Sequence, residues 1–198
     1  IRKDTLYCDS SNSQLVKSTK TVMVDVFNCL IRWLSPIIPF TTEEAWQCWR
    51  EKSVSKDILS CHFLKKVKLE SEWDNKDLDI KWEKILEIKN AFTFAVEHKR
   101  NLKEIKSSLE TKALIYLKNL EYRKIAGSVD LSEILISSNV ELSDDFDSEY
   151  LFNSDEKDIG VKITKEDGSK CPRCWKLVKL SDSKMELCDR CFAVINEK

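Results

Sequence analysis

Cys171-Pro172-Arg173-Cys174-Trp175 and Cys188-Asp189-Arg190-Cys191, with thirteen residues between Cys174 and Cys188, decide how the C-terminal end of this chain folds. Each CxxC turn aims two sulfurs at one point, and two such turns complete a tetrahedron around Zn²⁺. A thiolate is the soft, charged ligand zinc prefers, and four of them leave no open coordination position. The predicted site is therefore structural rather than hydrolytic. The alternatives are two disulfides or four cysteines packed in a core. The spacing and the rest of the composition favour zinc.

Working outward, the chain has 198 residues, enough for one or two compact units and an appended module. Six tryptophans add bulk to a core. Cys8, Cys29, Cys48 and Cys61 have no paired spacing and are expected to be buried free thiols. There is no signal peptide and no apolar run that would span a bilayer, so a soluble, reducing, cytoplasmic setting is expected. The formal net charge is −1, which does not announce a nucleic-acid binder. The charge is uneven, however. Residues 141–158 are strongly acidic and are expected to form a mobile surface loop. Basic residues gather between Lys99 and Lys124 and again between Lys162 and Arg190. Such groups are commonly solvated faces, yet local basic patches bind phosphates even on a neutral molecule.

Ser11-x-x-Gln14 reads as a capping box opening a long helix. Leu15, Thr19, Val22, Val26, Leu30 and Trp33 recur at helical spacing and mark its expected buried face. Pro36 and Pro39 stop it. Thr41-x-x-Glu44 reads as the start of a short helix carrying Ala45, Trp46 and Trp49. A third helix runs from Asp77 to about Ile105, with Leu78, Trp82, Ile85, Ile88, Phe92, Ala95 and Leu102 on one face. Leu109 to Leu117 then alternates as a strand, Asn119 to Ala126 forms a short helix closed by Gly127 at its C′ position, and Ile134 with Ile136 suggests a second strand. Ile159, Val161 and Ile163 suggest a third. The predicted fold is mainly α: an antiparallel helical bundle (1–106), a small α/β unit (107–165) and a four-cysteine zinc knuckle (166–198).

The usual catalytic constellations have little material. The two histidines, His62 and His98, read as structural and solvated respectively, and three scattered glycines make no phosphate loop. Glu43-Glu44 is explained by the charge preference of a helix N-terminus. No catalytic residue is assigned.

Specific strings add to this. Ile1-Arg2-Lys3-Asp4-Thr5-Leu6-Tyr7-Cys8-Asp9 resembles a segment of the anticodon-binding region of bacterial-type isoleucyl-tRNA synthetases. Arg32-Trp33-Leu34-Ser35-Pro36-Ile37-Ile38-Pro39-Phe40-Thr41-Thr42-Glu43-Glu44-Ala45-Trp46 is similar to an element those enzymes share with valyl and leucyl relatives of class I. Cys61-His62-Phe63-Leu64, Ser107-Ser108-Leu109-Glu110-Thr111-Lys112 and the two CxxC turns resemble further segments, in the family's order. Lys106 departs from a common glycine, and the acidic stretch around Asp145 is unusual.

The resemblance implies part of a larger enzyme that activates isoleucine with ATP and esterifies it to tRNA. The Rossmann domain with its ATP and Mg²⁺ sites would lie outside this chain, and the chain itself would be inactive. It also implies that this portion binds the anticodon stem-loop of isoleucine tRNA as a monomer, with no membrane or DNA partner. Arg173 and Trp175 match the family's tRNA-contacting positions. A tryptophan held beside a zinc ligand can stack on an unpaired base; alternatively Trp175 packs the knuckle and Arg173 is merely exposed. Two other readings differ in class. One is the DNA-binding zinc module of a repair enzyme, marked by preference for duplex DNA. The other is a zinc-scaffolded protein-interaction adaptor, marked by salt-insensitive partner binding without tRNA.

Overall fold

The computed structural model describes residues 3–69, 71–145, 147, 149–152, 158–178 and 186–196. The chain divides into two compact units, Ser11–Asp74, and Ile1–Ser10 together with Asn75–Lys198. The expected 1–106 bundle is thus divided: its first long helix and the short one lie in one unit, and the third helix shares a core with the sheet.

In the first unit, α2 (Gln14–Leu34) and α3 (Pro39–Trp49) follow α1 (Lys3–Cys8) of the other unit. Ser13, not Ser11, caps α2, its hydroxyl accepting from the Val16 N–H at 3.2 Å. Pro39 opens α3 rather than merely ending α2, because its missing N–H is one the first helical turn leaves unpaired anyway. The core gathers Ile31, Trp46 and Cys61, with Phe27, Trp49, Ile58 and Leu64 against them. Phe27 and Trp49 meet edge to face at 5.6 Å. Trp46, fully buried, donates its indole N–H to the Ile58 carbonyl at 3.1 Å. The predicted face of α2 is a correction: Val22 is 60 % and Trp33 55 % exposed, and Leu15, Val26 and Leu30 are exposed too, whereas Val16, Cys29 and Ile31 are buried.

In the second unit, α4 (Lys76–Asn101) is capped by the Asn75 side chain, which accepts from the Leu78 N–H at 3.0 Å. Its buried Ile88, Ala91, Phe92, Ala95 and Val96 share one core with Ala113, Ile115, Leu117, Val161 and Ile163 of the sheet. Leu78, Trp82 and Leu102, expected on that face, are exposed. The sheet has the order β2-β1-β4-β3, from β1 (Thr111–Leu117), β2 (Asn139–Ser143), β3 (Leu151–Phe152) and β4 (Ile159–Lys165). β1 runs parallel to β2 and antiparallel to β4. The parallel pair needs a crossover, supplied by α5 (Leu120–Ala126) and α6 (Leu131–Leu135). β1 buries every second residue, as a one-sided strand must. Gly160 sits under the aromatic cover of β4: a Cβ there would lie 2.8 Å from the Phe152 ring and 3.2 Å from Tyr150.

Three further expectations are corrected here. Ile134 and Ile136 do not form a strand. Asp130 caps α6 by accepting from the Glu133 N–H, and Ile136 ends the helix in the left-handed region at φ 57°. Gly127 ends α5 at the C-cap with ordinary helical angles (φ −70°), so it is not a left-handed C′ cap. Where it is described, the acidic stretch contributes to the sheet: the end of β2 and all of β3 lie inside it, and Glu141, Asp144, Asp147 and Glu149 pair with neighbouring bases. Lys112 bridges Glu141 at 2.7 Å, and Lys162 bridges Asp147 at 2.8 Å and Glu149 at 2.5 Å. Arg123 also pairs with Asp144. Residues 146, 148 and 153–157 of that stretch lie outside the described residues.

Candidate metal centre

The knuckle is a small hairpin followed by a helix. β5 (Ser169–Lys170) and β6 (Leu177–Val178) pair antiparallel and hold the first CxxC between them. The turn closes through the Trp175 N–H to the Cys171 carbonyl at 2.9 Å and the Cys171 N–H to the Lys176 carbonyl at 3.0 Å. The second CxxC runs into the first turn of α7 (Asp189–Asn196). The Leu177 N–H donates to the Ser138 hydroxyl at 2.8 Å, tying the hairpin to the start of β2.

These two turns bring Cys171, Cys174, Cys188 and Cys191 together, with all four sulfurs within 4.8 Å of one another. A tetrahedral ion with metal–sulfur bonds of ~2.3 Å sets its sulfurs ~3.8 Å apart. The Cys174–Cys188 separation is 3.8 Å. All four cysteines are buried. Burial raises the Cys171 thiol, but backbone N–H groups of Cys174, Cys188 and Arg173 pointing at it outweigh this and hold it down at about 6. The Cys174 thiol is pushed up by burial to about 12. Donors of this type, number and spacing fit a thiophilic tetrahedral ion and leave no position for substrate.

A fifth cysteine lies against this cluster. Cys8, at the end of α1, is 5 % exposed and packs with the four clustered cysteines and Leu187. Burial pushes its thiol up to about 11. The Arg173 guanidinium donates to the Cys8 carbonyl at 2.5 Å, and the Cys8 thiol donates to the Arg173 carbonyl at 3.7 Å. Arg173 is thus half-buried and engaged with α1. Trp175 is 58 % exposed and adopts φ 66°, and the Lys170 ammonium sits 5.3 Å from its ring centroid. More than half of the Trp175 surface is thus open to solvent. The sequence reading missed the docking of α1, whose partners lie up to 186 positions apart. The only local signal was an arginine inside each CxxC turn.

The other unassigned cysteines divide. Cys29 and Cys61 are buried as expected, whereas Cys48 is exposed. Glu43, Cys61 and His62 also approach one another. The Glu43 carboxylate, however, already accepts from Gln47 Nε2 at 2.6 Å, Ser60 Oγ at 2.8 Å and the Cys61 N–H at 2.9 Å. It is a clamp within the fold.

No helix among the described residues is long and apolar enough to cross a membrane. Residues 1–115 match the family model described as the anticodon-binding domain of tRNA ligase. The chain is 35 % identical to an isoleucine–tRNA ligase of Agrobacterium fabrum over 89 % of its length. It is 36 % identical to that of Pelagibacter ubique over 91 %, and 34 % identical to that of Caldicellulosiruptor saccharolyticus over its whole length. It spans 18 % of the first two relatives and 21 % of the third. With more than half of its residues matched, this chain belongs to the anticodon-binding domain family of tRNA ligases.

Proposed function

We propose that this chain is the tRNA-binding part of an isoleucine–tRNA ligase, holding the anticodon stem-loop of isoleucine tRNA. The parent enzyme would join isoleucine to that tRNA with ATP and Mg²⁺ bound in a catalytic domain outside these residues. Cys171, Cys174, Cys188 and Cys191 hold one structural Zn²⁺ in the knuckle (166–198), in a cytoplasm reducing enough to keep the thiols free. The chain acts as a monomer and has no membrane or DNA partner.

The observation that carries this reading is Trp175. Its ring is more than half exposed on a turn that the metal ligands fix, and its backbone is in a region costly for a residue with a Cβ. An indole so held offers a flat face to an unpaired base. Lys170 beside it adds a cation for a phosphate. Arg173 uses one N–H donor on Cys8, and a guanidinium has five; the remainder can serve the tRNA backbone. The basic groups elsewhere support this less, since Lys99, Arg100, Lys112, Lys118, Arg123 and Lys162 are paired with carboxylates of the same chain.

Binding of isoleucine tRNA, another tRNA and duplex DNA, compared across salt concentrations, tests the reading. Isoleucine tRNA should bind best, and Trp175→Ala should weaken it by roughly 1–3 kcal/mol with zinc content unchanged. Equal binding by parent and variant removes Trp175 from the interface, and preference for duplex DNA overturns the reading.

A further inference from the structure

Six residues of isolated helix do not hold together in water, so α1 owes its shape to what it docks on. Its partners are unusual in their placement. The Arg190 guanidinium grips the Asp4 carboxylate through both oxygens, at 2.5 and 2.8 Å, and reaches Asp9 at 3.6 Å. The Arg173 guanidinium takes the Cys8 carbonyl at 2.5 Å. Arg173 is the third residue of Cys171-Pro172-Arg173-Cys174, and Arg190 is the third of Cys188-Asp189-Arg190-Cys191. Both arginines therefore occupy the same position in the two turns that carry the ligands, and both close on the one helix. Between them the Cys8 side chain is buried against the four ligand cysteines. On α1, Thr5 is also buried and donates its hydroxyl to Glu133 at 2.5 Å.

We propose that residues 3–10 form a clasp set by the metal. The ion fixes the two CxxC turns, the turns aim Arg173 and Arg190, and these two arginines seat α1 over the cluster. Arg190, Asp4 and Arg173 are then positioning residues for the segment that leads into the helical unit at Ser11. Without the ion, the turns lose their common anchor and the two guanidinium groups no longer converge. α1 is released, exposing Cys8. The inference rests on the metal reading of the four cysteines and is independent of tRNA.

Alkylation of the full chain by iodoacetamide, mapped cysteine by cysteine by mass spectrometry, tests this. Cys8 is the probe, exposed Cys48 is the internal standard, and zinc is measured in parallel. In the zinc-loaded parent, Cys8 should label slowly. Arg190→Ala and Asp4→Asn should each retain zinc and keep the four ligand thiols protected. Cys8 labelling should nevertheless rise by about tenfold or more, the scale of a bidentate charge-assisted pair, at an unchanged Cys48 rate. Asp4→Asn lies outside the knuckle and guards against a variant that merely disrupts it. Chelation should release Cys8 together with the ligand thiols. If zinc is bound and Cys8 labels at the parent rate in both variants and after chelation, the clasp is overturned while the metal reading stands. If the purified chain binds no zinc, the metal reading fails and the clasp fails with it.

Discussion

At the scale of a single residue, the tRNA contact proposed for Trp175 is set against backbone strain. The turn after Cys174 closes with a positive φ at position 175, where glycine would fit without cost. A side chain there costs ~1–2 kcal/mol, and the indole recovers little of it, being mostly exposed with one cation beside its ring. An observed outlier of this kind points to use elsewhere. Two truncations separate ring from backbone. Trp175→Ala and Trp175→Gly should lose tRNA affinity equally, because both remove the stacking face. The glycine variant should be the more stable of the two by ~1 kcal/mol, since it alone relieves the left-handed strain. Thermal melting and chelator competition measure that difference. Equal stability would show that the turn relaxes around alanine and that no strain is stored there.

Between elements, Glu43 fastens the segment 60–61 to α3. Donation from Gln47 is the largest influence on its carboxyl, with Ser60 and the Cys61 N–H adding to it. Together they outweigh burial and hold it at about 2 against an ordinary 4.5. A carboxyl depressed on folding contributes stability that is complete above its unfolded value and is lost as pH falls through its folded one. The window for this clamp is therefore pH 4.5 down to about 2. Glu43→Gln should melt lower than the parent at pH 7 and show a shallower decline through that window. Parallel slopes in thermal melts from pH 5 to pH 2 would remove Glu43 from the account. Elements of this size were unevenly legible in the sequence. Alternation announced β1 and β4, and the CxxC spacing announced the clustering of the four cysteines, because both signals are local. Ile134 and Ile136 looked like a strand since β-branched residues two apart mimic one; the Asp130 cap and the rare left-handed isoleucine prevailed. The stripe on α2 was periodic, yet periodicity marks an apolar face and does not say what covers it. The docking of α1 had no periodic signal, because its contacts join the two ends of the chain.

Across the whole molecule, stability comes from three separate sources. α4 and the sheet share a broad aliphatic core, and α2 with α3 builds a smaller one around Trp46. Among the described residues the knuckle has almost none of its own: beyond the cysteines, its cluster holds Leu187 and the partly buried Val178. So small a core is what the proposed zinc would supplement, and a structural zinc supplies an apparent ~10–16 kcal/mol to modules of this size. Four neighbouring thiols without an ion either stay protonated or repel one another, and neither state holds two turns in register. Metal analysis should therefore give one equivalent of zinc per chain. Chelation should abolish the knuckle's hydrogen-exchange protection around 171–178 and 188–196, while the amides of β1, β4 and α4 remain protected. Affinity for tRNA should fall at least as far as in Trp175→Ala, since the turn that displays the ring is lost along with the ring's orientation. Should chelation instead unfold β1 and α4 in the same cooperative step, the knuckle would be part of the sheet core rather than a metal-held module upon it.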